Sequence, residues 1–438
     1  MRFVSIILSI LILSILVIVH EFGHFLLARK NGIFVKEFSI GFGPRIISRE
    51  SKSGTRFSWK AIPFGGSCTM LGALEDEDDE TDDERSFDKK SVWARMSVIL
   101  AGPIFNFVLA FILAVIYTAT LGYDPAVVTQ VVENTPAYEA GLRDGDLITR
   151  YDGTRISFGR EIYLENYIKP VSERTDGVDI TFKRDGKKYD VSIIPEEYEY
   201  YSIGISYRAD EEPAKLAEVA AGSAFEEAGI KTGDIITAIN GISIATGEEL
   251  GKFFNENVLG PEPLKIDFSR RGGYMSANVT PKSQKAYRLG FSYNRKNVKT
   301  GAIGVLKYSF AELTFEIKSV YKSIGMLVSG RGSLDMLSGP VGIVEVISDT
   351  YTASAGSGFL ITLMNILSIM ILLSANLGVI NLLPIPALDG GKFVLLIIEA
   401  ITRRPVPKKV EGIVTIIGAG LLVVLMVAVL VNDVTNLF

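Results

Sequence analysis

Two histidines and one cysteine are the whole supply of imidazole and thiol in 438 residues. The lone Cys68 excludes an intrachain disulfide and a cysteine-based zinc site. The histidines, His20 and His24, stand four residues apart, so any imidazole chemistry is confined to that point. An excess of positive charge is also missing. Forty-five Lys and Arg against 50 Asp and Glu leave a net charge of -5, which excludes a general binder of nucleic acid. Apolar residues are abundant: 48% of the chain, with a mean hydropathy of +0.29, as in a membrane protein rather than a soluble enzyme. The length allows two or three domains.

Four segments, 4–28, 92–122, 357–383 and 412–431, are long and apolar enough to cross a hydrocarbon core of roughly 30 Å, which takes about 20 helical residues. The first could be read as a signal peptide. Its apolar run is longer than such a segment needs, and it continues without a small-residue cleavage site through "HEFGH" to Ala28. Positive charge orients the spans. Arg29, Lys30, Lys36, Arg45 and Arg49 follow the first, and Arg403, Arg404, Lys408 and Lys409 lie between the last two. Both groups read as cytoplasmic, which puts both termini and the region 123–356 on the outer side. His20 then lies roughly 25 Å along the first helix, towards the cytoplasmic leaflet. The acidic run "EDEDDETDDE" (75–84) reads as a solvated loop.

Between the second and third spans the chain repeats itself. "PAYEAGLRDGDLITRYDGTRI" (136–156) and "SAFEEAGIKTGDIITAINGISI" (223–244) align at an offset of 88 residues from Glu139 onward. Each predicts a short helix, a Gly-Asp turn, an apolar strand and an Asp-Gly or Asn-Gly hairpin turn. The pattern resembles the core of PDZ domains, in two units of roughly 124–200 and 201–285, with a generic small β-rich repeat as the alternative. PDZ domains take up an extended peptide, often a free C-terminus, along a sheet edge. The resemblance puts a carboxylate-binding loop at "YSIGISY" (201–207), with amides around Ile203, Gly204 and Ile205 facing the ligand. The matching loop of the first unit falls near "DPAVVTQV" (124–131). Beyond the repeat, Leu306, Phe310, Leu313, Ile317, Val320, Ile324 and Leu327 recur at helical spacing opposite Lys307, Lys318 and Lys322. That predicts an amphipathic helix on the membrane surface or under the repeat, or else a coiled-coil seam.

"HEFGH" (20–24) places His20 and His24 on one helical face, where they can share a zinc ion. Glu21 stands next to the open coordination position and can take a proton from a metal-activated water and pass it to a leaving amine. Ionisable groups at membrane depth are costly and by default functional. A catalytic zinc needs a third protein ligand, and no third histidine exists. Among the carboxylates Asp389 stands out, in "NLGVINLLPIPALDGGKF" (376–393). Pro384 and Pro386 must break the helix before it, and Gly390 and Gly391 leave the backbone room to turn it inward.

HExxH at the end of the first span, with N-x-x-P-x-P-x-x-D-G after the third, resembles the site-2 protease family of intramembrane zinc metalloproteases. The repeat between the second and third spans is similar to that of its bacterial RseP branch, as are "FSIGFG" (38–43), "AGPIFNF" (101–107) and "SGPVGI" (338–343). The resemblance implies a multi-pass α-helical membrane protein of about four transmembrane helices with two inserted α/β PDZ domains. It divides the chain into a first part of the membrane core (1–123), two PDZ domains (124–200 and 201–285), an amphipathic helix with a linker (286–356) and a second part of the core (357–438). It implies His20, His24 and Asp389 as ligands of Zn2+, Glu21 as catalytic base, and Asn376 and Asn381 as residues that hold substrate. "TRFSWKAIPFGGSCTM" (55–70) becomes a re-entrant hairpin whose edge, along Phe57, Trp59 and Ala61, pairs with an unwound substrate. The implied substrates are single-span proteins in the bacterial inner membrane, namely anti-sigma factors after a first cut, and remnant signal peptides. The implied active site lies towards the cytoplasm, with the PDZ domains outside, binding a peptide or C-terminus. A PDZ-bearing scaffold without catalysis and a zinc peptidase acting on soluble peptides are the other readings.

Overall fold

The computed structural model describes residues 2–73, 83–209, 212–294, 296–332 and 337–436, so 75–82 of the acidic run lie outside the described residues. The chain forms two compact units. The first comprises Met1–Pro125, Ser157–Leu164 and Arg295–Phe438, the second Ala126–Ile156 and Glu165–Asn294.

The first unit begins with α1 (Arg2–Lys30), β1 (Val35–Glu50), β2 (Arg56–Met70) and α2 (Val92–Leu121). α1 and α2 meet where side chains are smallest: a Cβ on Gly23 would lie 2.4 Å from the carbonyl oxygen of Ala101. The other face of α2 exposes Ile104, Val108, Ile112 and Ile116, one every four residues, as a helix facing lipid does. β1 and β2 fold back on each other. Residues Arg56–Trp59 pair on one side with Glu37–Ile40 and on the other with Ile47–Glu50, while Gly66–Met70 pairs, among the described residues, only with the start of β1. Gly41, Gly43 and Gly65 make the bends, at φ of 84°, 86° and 82°. The segment carrying Phe57 and Trp59 is therefore flanked on both sides, and the edge expected there is already filled. The side chains of Phe57 and Trp59 remain exposed, alternating with the buried Ser58.

In the second unit the repeat becomes β3 (Val128–Val131), α3 (Pro136–Glu139), β4 (Leu147–Tyr151), β5 (Thr154–Arg155), α4 (Gly159–Ile168, counted to Leu164 with the first unit), β6 (Val178–Arg184), β7 (Lys187–Ile193) and β8 (Glu196–Ser202). β9 (Ile205–Tyr207) follows, then β10 (Leu216–Val219), α5 (Ala224–Glu227), β11 (Ile235–Ile239), β12 (Ile242–Ser243), α6 (Gly247–Glu256), β13 (Leu264–Arg270), β14 (Gly273–Val279), β15 (Lys282–Arg288) and β16 (Phe291–Tyr293). The sheets β5-β4-β6-β7 and β12-β11-β13-β14 share one strand order. The Gly-Asp turns are built alike. Arg184 grips Asp146 through Nε and Nη2 and donates to the Gly141 carbonyl, and Arg270 does the same with Asp234 and Gly229. Asp152-Gly153 and Asn240-Gly241 turn with positive φ at both residues, as a two-residue hairpin of this kind requires.

The strands that close these sheets are exchanged. β9, which follows the first copy, pairs with β10 of the second, and β16, which follows the second, pairs with β3 of the first. "LGFSY" (289–293) thus stands to β3 as "IGISY" (203–207) stands to β10. The counterpart of the 201–207 loop in the first copy lies at 289–293, and 124–131 supplies the strand it pairs with.

Back in the first unit come α7 (Ala302–Val328), α8 (Pro340–Ala355), α9 (Phe359–Leu382), α10 (Asp389–Thr402) and α11 (Lys408–Asn436). Among the described residues four helices are long and apolar enough to cross a membrane: Val4–Lys30, Val92–Leu121, Phe359–Leu382 and Lys409–Asp433. They coincide with the four segments read from the sequence. Ile12 and Leu16 of α1 pack with Ile347 of α8 and with Ile366 and Ile369 of α9. Ala110, Leu113 and Ala114 of α2 pack on Ile371 and Ala375 of α9. α7 is a helix as expected, but its buried residues are Ser309, Glu312 and Glu316, while Leu306 and Phe310 are exposed. The half-buried guanidinium of Arg160, ion-paired with Glu312, draws that polar stripe inward.

Candidate metal centre

His20 and His24 sit one helical turn apart on α1, both buried, with their Nε2 atoms 3.2 Å apart. Asp389 opens α10, and its Oδ2 lies 3.0 Å from Nε2 of His20 and 3.3 Å from Nε2 of His24. That oxygen is buried and accepts no well-directed hydrogen bond, so proximity to the rings does not satisfy it. A tetrahedral ion with donors at about 2.0–2.1 Å holds its ligand atoms roughly 3.3 Å apart. Two imidazole nitrogens and a carboxylate oxygen at these separations fit zinc in chemistry and in spacing. They are also the cluster of this kind found among the described residues.

Neighbouring elements build the cradle. Val98, Gly102 and Asn106 recur every four residues and so share one face of α2. The Val98 carbonyl is 2.9 Å from His24 Nδ1, and Asn106 Nδ2 is 3.1 Å from His20 Nδ1. Gly102 leaves the space between them open, since a Cβ there would lie 2.4 Å from His24 Nε2. Asp389 is delivered by a non-helical turn, closed by the Leu388 amide donating to the Ile385 carbonyl at 3.1 Å. α9 stops at Leu382, Pro384 and Pro386 cannot donate, and Ala387 takes φ 78°, which a side chain rarely tolerates. A Cβ on Gly390 would lie 2.1 Å from the Leu383 carbonyl, and one on Gly391 2.4 Å from that of Ile385. Only glycine lets α10 start so close behind the break.

Glu21 follows His20 on α1 and is half-buried. Its Cγ lies 3.6 Å from where a Cβ on Gly66 would stand, so the unpaired edge of β2 runs beside it. Asn376 and Asn381 are both on α9, five residues and about 140° apart, so they face different directions. The Asn376 Oδ1 is buried and has no hydrogen-bond partner among the described residues. In the second unit, Gly204 (φ 73°) packs against Ser223, its carbonyl accepts from the Ala220 amide, and the Ile203 side chain belongs to the core. Sequence reasoning assigned no role to Gly102, Asn106 or the Val98 carbonyl. Gly102 and Asn106 lie within "AGPIFNF" (101–107), and Val98 lies just before it.

Residues 8–425 match the model of peptidase family M50, a stretch that contains His20, Glu21, His24 and Asp389. The zinc metalloprotease RasP of Geobacillus kaustophilus is 31% identical over 99% of this chain and 98% of its own. The regulator of sigma E protease of Haemophilus influenzae is 32% identical over 97% of both chains. The regulator of sigma-E protease RseP of Salmonella typhimurium is 30% identical over 98% of both. A crystal structure of the HtrA3 PDZ domain bound to a phage-derived ligand is similar over 20% of this chain and 92% of that one, at 22% identity and a TM-score of 0.18. A match that spans almost the whole chain, on relatives of the same length, leaves one conclusion: this chain belongs to peptidase family M50, the site-2 type of zinc metalloprotease.

Proposed function

We propose that this membrane peptidase cuts peptide bonds within single-span transmembrane segments, with His20, His24 and Asp389 holding Zn2+ and Glu21 as general base. The convergence of three buried donor atoms at 3.0–3.3 Å, one of them otherwise unsatisfied, carries the assignment. Zinc lowers the pKa of a bound water to about 7. Glu21 would take a proton from the attacking water and pass it to the leaving amide nitrogen. A transmembrane helix keeps its peptide bonds inside its own hydrogen-bond ladder, so it must be unwound first. The edge of Gly66–Met70, unpaired among the described residues and beside Glu21, would hold the extended segment by strand addition, with Phe57, Trp59 and Ala61 contributing side chains only. The Oδ1 of Asn376, without a partner among the described residues, would accept from an amide freed by unwinding, and Asn381, about 140° round α9, would meet a different part of the substrate.

In this reading the substrates are anti-sigma factors after a first cut and remnant signal peptides. The two repeats act as tandem PDZ domains outside the bacterial inner membrane, taking a peptide or C-terminus at Ile203, Gly204 and Ile205, while the metal lies towards the cytoplasm. The test is co-expression with a tagged single-span reporter that lacks a bulky outer domain, comparing wild type with Glu21→Gln at equal levels by immunoblot. Cleavage by wild type that vanishes in the variant supports the reading. Equal cleavage by both, or by neither across several reporters, overturns it.

A further inference from the structure

His20 and His24 are held differently, and the difference points to a residue with no assigned part. A neutral imidazole carries one proton. A zinc ion on Nε2 needs the lone pair there, so the proton must sit on Nδ1 and find an acceptor. For His24 that acceptor is the Val98 carbonyl, 2.9 Å away, which can only accept. For His20 the neighbour is the side-chain amide of Asn106, 3.1 Å away. Asn106 is fully buried, its Oδ1 has no partner, and His20 is the polar contact its side chain makes among the described residues. A buried amide left half-satisfied costs about 1–3 kcal/mol, so packing alone would favour an apolar residue here. Asn106 is also fixed from behind, because Ser374 Oγ on α9 donates to its backbone carbonyl at 2.8 Å.

We propose that Asn106 is the positioning residue for His20, rotating its amide so that Oδ1 accepts the Nδ1 proton when zinc is bound. The proposal rests on His20 being a zinc ligand. With Nδ2 towards the ring, the amide supports the tautomer whose Nε2 carries the proton. Half a turn about the terminal torsion exchanges the two amide atoms and supports the other tautomer. Asn106 therefore keeps the His20 ring in place both before and after the metal enters, which a carbonyl cannot do.

The experiment measures zinc affinity of the full chain in detergent by chelator competition, with metal content by mass spectrometry, for wild type, Asn106→Leu, Asn106→Asp and His20→Ala. Cobalt absorption spectra of the same proteins report ligand geometry. Asn106→Leu, which cannot accept, is expected to bind zinc about 10–100-fold more weakly and to shift the cobalt spectrum. Asn106→Asp, which accepts only, is expected to restore affinity, and His20→Ala to lose the metal. If the leucine protein does not elute as wild type does, Asn106→Ala takes its place. Equal loss in the leucine and aspartate proteins, or wild-type affinity and spectrum in the leucine protein, overturns the positioning role while leaving the ligand set intact. Wild-type zinc affinity in His20→Ala overturns the ligand set itself, and the proposal with it.

Discussion

Gly102 on α2 and His24 on α1 touch so closely that a single added carbon at residue 102 would lie 2.4 Å from His24 Nε2, and 2.7 Å from His20 Nε2. These are the nitrogens proposed to face zinc. The glycine is there for the space above it, since its backbone is ordinary helix.

Gly102→Ala should accordingly empty the site without unfolding the chain. Alanine is the better helix former, so the cost falls on the histidine rings. Zinc affinity should drop at least about 10–100-fold, the usual effect of disturbing a ligand's support. Metal content of the purified protein checks this, and full zinc occupancy in the variant would contradict the cradle.

Glu316 on α7 is buried beside Glu312 and close to Arg160, all in the first unit, with Asp124 also facing Arg160. Burial, and then the charge of Glu312, push its carboxyl up to about 8. A carboxyl raised in the folded state keeps its proton there while the unfolded chain ionises. Stability is therefore full below the unfolded value of about 4.5 and falls as pH rises towards 8. Thermal unfolding in detergent at pH 5 and pH 8 should show a smaller drop for Glu316→Gln than for wild type. Parallel drops would refute the assignment.

Asp433 near the end of α11 accepts from the backbone amides of Gly339 and Gly342, at 3.2 and 2.8 Å, and so caps α8. α11 is little buried elsewhere, and Gly418 faces Pro386 so closely that an added Cβ would lie 2.2 Å from the Pro386 carbonyl oxygen. Asp433→Ala should cost about 0.5–2 kcal/mol, as loss of a helix cap does. An unchanged melting temperature would mean that the cap contributes nothing to stability.

The strand exchange predicts how the repeat behaves when cut. Residues 124–200 alone lack β16 and leave β3 without the partner it has in the whole chain. Residues 124–294 contain both. Proton spectra of the two fragments should show dispersed amides for the longer and poor dispersion for the shorter. Equal dispersion would make the exchange incidental.

Local patterns made much of this readable beforehand. An i, i+4 histidine pair and a Pro-x-Pro break carry their geometry in their spacing, because helix pitch and the missing proline N–H act over a few residues. The same holds for the Asp-Gly and Asn-Gly turns and for four apolar spans. The exchange of β9 and β16 was hidden, because strand partners are chosen across the whole repeat and "LGFSY" lies beyond the second copy. The filled edges of the Phe57–Trp59 segment depend on where Gly41, Gly43 and Gly65 bend the strands, which composition does not locate.

What the sequence determined by itself is the chemistry available: two imidazoles and a glutamate between them within an apolar helix, and a carboxylate after a broken one. Tertiary structure decided what surrounds them. Gly102, Asn106 and the Val98 carbonyl reach the histidines only because α1 and α2 cross at Gly23, close enough for backbone to meet backbone. The buried face of α7 was likewise set by an ion pair with Arg160. Contacts between helices depend on how small residues let them approach, and that is fixed by packing rather than by the period of either helix.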